Sequence, residues 1–161
     1  MRCESLKRVK IVKASQDDID GIYGLFTQIF SGLADYYGKK WTKEAERCAC
    51  KWLTLVAKKN GKIIGFLATR QLKDGVTAYV EWFGISEGNR QQGIGTKMMR
   101  RMLKGLKILG FEKVLIRAGN WDEHTDGAWR TVNYGDSKSV KFYRRFGFRY
   151  KRGWMSLCLT K

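Results

Sequence analysis

A glycine-containing loop near the middle of the chain reads Arg90-Gln91-Gln92-Gly93-Ile94-Gly95-Thr96. It follows a run typical of a β-strand, Tyr79 to Ile85, and precedes a run typical of a helix, Ile94 to Leu109. A tight loop that leads into a helix leaves several backbone N–H groups unpaired, with the positive end of the helix dipole behind them. Because such an arrangement binds phosphate, the sequence predicts a phosphate-bearing ligand between a strand and a helix.

Spacing excludes three other glycine-rich phosphate motifs. The chain has no Gly-x4-Gly-Lys-Ser/Thr segment, which a P-loop requires. The dinucleotide fingerprint Gly-x-Gly-x-x-Gly would place its third glycine where this chain has Met98, and close helix–strand packing does not tolerate that long side chain. A protein-kinase loop fails at the same position, and the chain also lacks a His-Arg-Asp segment. The remaining motif is Arg-x-x-Gly-x-Gly.

The motif formed by Arg90, Gly93 and Gly95 resembles the acyl-CoA motif Gln/Arg-x-x-Gly-x-Gly/Ala of the GCN5-related N-acetyltransferase (GNAT) superfamily. A second segment, Ser139 to Phe148 (SVKFYRRFGF), is similar to the family's penultimate helix, whose usual form is Ser/Ala-x-x-Phe/Leu-Tyr-x-x-x-Gly-Phe. The two segments stand in the family's order with one strand between them. The resemblance covers roughly the whole chain.

Hydrophobic periodicity predicts a mixed α/β fold in one domain spanning residues 1–161. Strands are expected at 7–13, 53–57, 62–69, 77–85, 113–118, 148–151 and 154–159, and helices after Ser15 and Thr42, from Ile94 and from Asp136. Asn60-Gly61 is typical of a hairpin turn. The resemblance implies the GNAT acyl-CoA N-acyltransferase fold, a twisted mixed sheet of about seven strands flanked by about four helices. In that fold two central parallel strands, here 77–86 and 112–118, splay apart to admit coenzyme A.

The resemblance implies acetyl-CoA (coenzyme A) as co-substrate. Its pyrophosphate is expected on the N–H groups of Arg90, Gln91, Gln92, Gly93, Ile94, Gly95 and Thr96. Its pantetheine amides are expected to pair with the strand end at Phe83, Gly84 and Ile85, where Gly84 would permit close backbone approach or, alternatively, mark a β-bulge. Many relatives carry an asparagine seven residues before the helix tyrosine; here Asp136 takes that place, so a pantetheine contact and a plain helix cap are both open. Ser139 completes the expected cofactor-binding set.

Acetyl transfer requires a neutral amine, donors to the thioester oxygen and a proton for the leaving thiolate. The resemblance makes Tyr143 the candidate acid, because a phenol matches a thiol leaving group better than a carboxylic acid does; a core tyrosine is the alternative. Glu81 is the candidate base, and alternation would place it on one strand face with Tyr79, Phe83 and Ile85. A structural ion pair or a contact to the amine is its alternative. The expected mechanism is direct attack by the amine within a ternary complex.

The segment 119–135 is longer than the connection usual at this point in the family. It concentrates acidic and aromatic residues in an otherwise basic chain, and acids beside aromatic rings suit a cationic amine. We therefore expect it to bind the acceptor; a surface loop whose tryptophans pack on the sheet is the alternative. The candidate substrate-binding residues are Trp121, Asp122, Glu123 and Asp126.

The composition bounds the setting of the protein. A net charge of +17 over 161 residues favours either a solvated basic surface or attraction to a polyanion. The four cysteines and one histidine lack the spacing of a zinc site or a disulfide framework, so no metal and a cytoplasmic location are expected. No apolar run approaches membrane-spanning length, so no membrane partner is expected.

The leading hypothesis is an acetyl-CoA-dependent N-acetyltransferase that acts on a primary amine of a small molecule, peptide or protein. Two alternatives use the same fold: a basic RNA- or ribosome-associated protein, and a non-catalytic acyl-CoA-binding module. The sequence leaves the identity of the acceptor open, and a homodimer is an open option.

Overall fold

The computed structural model describes residues 9–30, 53–117 and 138–160, which build a seven-stranded sheet with helices on both faces. The strands are β1 (Val9–Lys13), β2 (Thr54–Lys59), β3 (Lys62–Gln71), β4 (Thr77–Ile85), β5 (Lys113–Arg117), β6 (Arg149–Lys151) and β7 (Trp154–Cys158). The α-helices of the described part are α1 (Ile19–Ile29), α2 (Ile94–Ile108) and α3 (Lys138–Arg144). The predicted helix from Thr42 to about Lys51 lies outside the described residues.

The strand order in the sheet is β1-β2-β3-β4-β5-β7-β6. Strands β4 and β5 are parallel and are linked by α2, whereas every other neighbouring pair is antiparallel. The expectation of a mixed α/β fold around one sheet is confirmed. The last helix is described from Lys138 and ends at Arg144, and its predicted start at Asp136 lies outside the described residues.

The turn between β2 and β3 follows from two residues. Asn60 and Gly61 have φ angles of +51° and +78°, which is the left-handed region that a two-residue hairpin turn requires. Asparagine and glycine tolerate that region better than other residues. The predicted hairpin is therefore confirmed, and a β-bulge between Ala57 and Lys58 shifts the register of β2 with β3 further along.

A β-bulge interrupts the pairing of β3 with β4. Ala68 pairs with Trp82 and Thr69 pairs with Val80, so Glu81 is the extra residue on β4. The bulge reverses which residues of the strand face which side of the sheet. Val80, before the bulge, and Phe83, after it, therefore both contact the same apolar cluster. The predicted common face for Tyr79, Glu81, Phe83 and Ile85 is therefore wrong, because one inserted residue reverses the alternation.

Two apolar clusters cover the two faces of the sheet. The larger one lies under α2 and α3. It contains the apolar face of α2, which is almost fully buried and consists of Ile94, Met98, Met102 and Leu106. The smaller one lies under α1, where Phe26 packs edge-on against Trp82 with ring centroids 4.9 Å apart. α1 contacts strands β3 and β4, while α2 contacts β1 to β4. Both helical layers therefore contact β4, one on each face of the sheet.

Candidate active site

Strand β4 continues past the end of its pairing with β5 in the middle of the sheet. Their parallel pairing runs from Thr77–Lys113 to Val80–Ile116, one residue before β5 ends at Arg117, whereas β4 continues to Ile85. Among the described residues, β3 is the strand that pairs with β4 beyond Val80. The splay expected between the strands predicted at 77–86 and 112–118 would begin at this point. A gap of this kind exposes the edge of β4 to a ligand that can pair with its backbone.

The loop between β4 and α2 forms a cradle of backbone N–H groups, which we call the amide cradle and define as residues 90–96. Gln91 and Gly93 have φ angles of +58° and +77°, so successive peptide units turn in the manner of an anion-binding nest. Gly93 is the N-cap of α2 and makes no side-chain cap. Lys97 is the first residue of the helix whose N–H reaches a backbone acceptor, the Gly93 carbonyl at 3.1 Å. The preceding helical N–H groups point outward at the positive end of the helix dipole.

Side chains within the cradle brace it from inside. Arg90 Nε donates to the Ile85 carbonyl at 2.9 Å, and Gln92 Nε2 donates to the Gly88 carbonyl at 3.2 Å. The Oε1 atom of Gln92 is buried and has no hydrogen-bond partner among the described residues. Arg90 and Gln92 were predicted to contact the ligand through their backbone N–H groups. Their side chains bond to backbone carbonyls, that of Arg90 at the end of β4 and that of Gln92 within the loop that follows it.

Glycine at positions 84 and 95 allows close packing around the splay. A Cβ on Gly84 would lie 2.7 Å from Cδ1 of Ile29, so the last turn of α1 approaches β4 over this residue. The alternative of a β-bulge at Gly84 is wrong, because the bulge lies at Glu81. A Cβ on Gly95 would lie 3.3 Å from the ring of Phe83. The start of α2 is thus packed directly against the strand end that was predicted to hold pantetheine.

A cavity of about 310 Å³ adjoins the end of β4 and the amide cradle. It is lined by Gln28, Ile29, Ser86, Glu87 and Arg90. Its walls therefore come from the last turn of α1 and from the loop that follows β4. A ligand lying along the end of β4 would find room here beside the strand backbone.

The predicted acid, Tyr143, lies on α3 within the apolar cluster under the sheet. Its side chain is 9% exposed, and its ring packs against Phe142 and Phe148 at centroid distances of 5.3 and 5.9 Å. Burial raises the pKa of the Tyr143 phenol well above its ordinary value. The phenol is therefore protonated throughout the neutral pH range, as a proton donor must be.

The predicted base, Glu81, lies at the bulge of β4. Its Oε1 atom is 2.5 Å from Arg70 Nε, and its side chain is 13% exposed. The Arg70 guanidinium also lies over the ring of Tyr79, 5.0 Å from the centroid. Burial and the neighbouring Glu81 carboxylate raise the pKa of the Tyr79 phenol, while Arg117 and Arg70 partly offset that rise.

Glu81 and Tyr143 lie on opposite faces of the sheet. Tyr143 belongs to the cluster under α2 and α3, whereas Glu81 contacts Arg70 on the face that carries Tyr79. Arg70 is a site residue that sequence reasoning missed. Finding it would have required the register of β3 with β4, which pairs Arg70 with Tyr79.

Several predicted site residues lie outside the described part of the chain: Trp121, Asp122, Glu123, Asp126 and Asp136. Ser139 lies in the first turn of α3 and is half-buried. Within residues 9–30, 53–117 and 138–160, no three His, Cys, Asp or Glu side chains are grouped so that they could hold a metal ion. In the same ranges, every helix is too short or too polar to cross a bilayer.

Comparison with known proteins gives the family. The family model described as "Acetyltransferase (GNAT) family" matches residues 26–148, which is more than half of the chain. An uncharacterized N-acetyltransferase of Methanocaldococcus jannaschii is 26% identical over an alignment of 167 positions that covers 94% of this chain and 67% of that protein.

Solved structures share the fold. A GNAT family acetyltransferase from Brucella melitensis in complex with acetyl-CoA superposes with a TM-score of 0.68 at 22% identity, and the match covers 95% of this chain and 89% of that one. An aminoglycoside 6′-N-acetyltransferase complexed with coenzyme A superposes with a TM-score of 0.73 at 14% identity, covering 94% and 98%. The sequence match, the parallel central strands and the amide cradle agree: the chain belongs to the GNAT family of acetyltransferases.

Proposed function

We propose that this protein is an acetyl-CoA-dependent N-acetyltransferase that moves an acetyl group to a primary amine by direct attack within a ternary complex. The observation that carries the proposal is the amide cradle at the start of α2, next to the end of β4, which continues past its pairing with β5. Family membership and the acetyl-CoA and coenzyme A complexes of the two structural neighbours support it. Acetyl-CoA would supply a thioester carbonyl that an amine can attack.

The residues around the splay fit a pyrophosphate-bearing co-substrate. The amide cradle would take the pyrophosphate on the N–H groups of residues 90–96, because these groups and the helix dipole favour an anion. The backbone of Phe83, Gly84 and Ile85 would pair with the pantetheine amides, although the Ile85 carbonyl already accepts a bond from Arg90. The orphaned Oε1 of Gln92 gives a buried acceptor beside the same site. Asp136 and Ser139 remain proposed contacts to the co-substrate.

Tyr143 is the proposed proton donor to the leaving thiolate. Its burial among aromatic rings keeps the phenol protonated at neutral pH and fixes the ring in one position. Glu81 is the proposed acceptor of the amine proton, directly or through water. The Arg70 guanidinium holds the Glu81 carboxylate in position through their ion pair.

The acceptor is proposed only as a primary amine. The acidic and aromatic residues Trp121, Asp122, Glu123 and Asp126 are its proposed contacts. The aminoglycoside named for one neighbour belongs to that protein, since 14% identity supports the fold alone. A cytoplasmic location and a homodimer also stay predictions.

The test is coenzyme A release from acetyl-CoA, measured with a thiol reagent against a panel of polyamines, amino sugars, lysine peptides and peptides with free N-termini. Each amine is compared with a blank without amine, because the exposed thiol of Cys158 also reacts with the reagent. We expect at least one class to release coenzyme A well above its blank. Tight binding of acetyl-CoA in calorimetry with no release for any amine would instead support the non-catalytic module.

A further inference from the structure

A basic face lies on the opposite side of the sheet from α2 and α3. We call it the cationic sheet face and define it by Arg70, Tyr79, Arg117, Arg149, Lys151 and Trp154. Its side is fixed by alternation, because Ile116 and Met155 are buried under α2 and α3, so that their neighbours Arg117 and Trp154 point the other way. Neither Tyr79 nor Trp154 belongs to an apolar cluster of the described residues.

Cross-strand register places these residues in rows. Arg117 pairs with Trp154, and Trp154 pairs with Lys151, so one row crosses β5, β7 and β6. Arg70 pairs with Tyr79 in a parallel row on β3 and β4. Five strands separated by about 4.8 Å give the face a width of about 19 Å.

Aromatic rings and guanidinium groups alternate across the face. Trp154 is 43% exposed, and the Arg117 guanidinium carbon lies 5.8 Å from its ring centroid. The ring centroids of Trp154 and Tyr79 are 6.0 Å apart, and Arg70 lies over Tyr79 at 5.0 Å. A large exposed tryptophan with a guanidinium on one side and a tyrosine on the other offers a stacking surface to a planar ligand.

Cations outnumber the carboxylate on this face. Arg117, Arg149 and Lys151 are exposed, and the nearby Glu81 carboxylate is already paired with Arg70. The whole chain carries a net charge of +17. A cationic surface of this kind attracts a polyanion, and the exposed ring adds an interaction that phosphate groups alone would not use.

We propose that the cationic sheet face binds a single-stranded nucleic acid. Unpaired bases would stack on Trp154, and Arg117, Arg149 and Lys151 would neutralise the phosphates along the strand. A duplex keeps its bases stacked inside and cannot present them to the ring. This binding is separate from the proposed transfer reaction, since it requires neither the amide cradle nor acetyl-CoA.

The test measures fluorescence anisotropy of a labelled oligouridylate of about twelve nucleotides, without acetyl-CoA, over a series of KCl concentrations. We expect the double variant R149E/K151E to weaken binding more than about tenfold and to make the salt slope shallower by about 1.4. The matched control R100E/K104E makes the same charge change on the exposed side of α2. It should weaken binding less than about threefold.

A second pair of variants tests stacking. Trp154→Ala should weaken binding about tenfold with an unchanged salt slope, and Trp154→Phe should retain most of the affinity. Circular dichroism melts confirm that each variant is folded. Equal loss in R100E/K104E and R149E/K151E would overturn the proposal. So would equal affinity for a duplex, or competition by a heparin oligosaccharide as strong as that by the oligouridylate.

Discussion

At the scale of single residues, Tyr143 carries the sharpest test of the proposed chemistry. Replacing it by phenylalanine removes only the hydroxyl from a side chain that is packed between Phe142 and Phe148. We expect kcat to fall by about a hundredfold to ten-thousandfold, the range of a lost general acid. The KM for acetyl-CoA should change little, because Tyr143 is not in the amide cradle. Steady-state coenzyme A release measures both constants.

The thermal midpoint separates a lost proton donor from a packing defect, and the pH profile checks that the phenol stays protonated. Because burial raises the pKa of Tyr143, the phenol is protonated from about pH 6 to about pH 9. The ratio of wild-type to variant kcat should then be constant over that range. The thermal midpoint should stay close to wild type, since phenylalanine fills the same volume. An unchanged kcat in a folded variant would remove Tyr143 from the mechanism.

Gly93 tests the amide cradle at the same scale. Its φ angle of +77° is strained for any side chain, and it is the N-cap of α2. We expect Gly93→Ala to raise the KM for acetyl-CoA about tenfold by tilting the N–H groups, and to lower the free energy of unfolding by about 1 kcal/mol. Gly88→Ala is the control, because no atom lies within 4 Å of the added Cβ. Equal acetyl-CoA KM values for the two variants would argue against phosphate binding in the cradle.

At the scale of elements, the start of α1 depends on one buried carboxylate. Asp18 Oδ2 accepts from the N–H of Ser15 at 3.0 Å, and Oδ1 lies 2.6 Å from Lys58 Nζ on β2. Burial by itself would raise the pKa of Asp18, but the bonds from Lys58 and Ser15 outweigh it and lower the pKa below 3.8. The carboxylate thus joins the 3₁₀ turn Gln16–Asp18, which leads directly into α1, to the sheet.

The lowered pKa gives the sign of the pH effect. Because the pKa of Asp18 is lower in the folded than in the unfolded state, the ionised carboxylate stabilises the fold fully above the unfolded pKa. This stabilisation is lost as pH falls through the folded pKa. We expect Asp18→Asn to lower the free energy of unfolding by about 1–2 kcal/mol at pH 7, and the difference from wild type to disappear near pH 2. Urea melts measure both, and Asp17→Asn, at an exposed neighbour, should be near neutral. A variant deficit that persisted at low pH would contradict this account.

The elements also show what sequence periodicity can and cannot predict. The span of β4, 77–85, follows from its own apolar residues, and the turn at Asn60-Gly61 follows from local backbone preference. The bulge at Glu81 does not, because it is set by the register with β3, a partner strand elsewhere in the chain. The motif around Gly93 predicted the cradle, since helix N-termini obey local rules. The Arg70–Glu81 pair needed that same register and was missed.

At the scale of the whole molecule, the net charge of +17 should destabilise the folded state at low salt. Exposed cations on α2 and on the cationic sheet face lie at short distances, and two like charges 10 Å apart in water repel by about 0.4 kcal/mol. Raising ionic strength from about 0.01 M to about 0.15 M shortens the screening length from about 30 Å to about 8 Å. We therefore expect the free energy of unfolding to rise by about 1–3 kcal/mol over this range, as many such repulsions are screened.

Urea melts in increasing KCl measure this effect, because urea adds no charge of its own. The R100E/K104E variant carries less positive charge, so its stability should rise less with salt than that of the wild type. The Asp18–Lys58 attraction opposes the trend only weakly, since that pair is short and partly shielded from ions. If stability instead fell with salt, attractive pairs would dominate the folded state, and the basic surface would not be a source of instability.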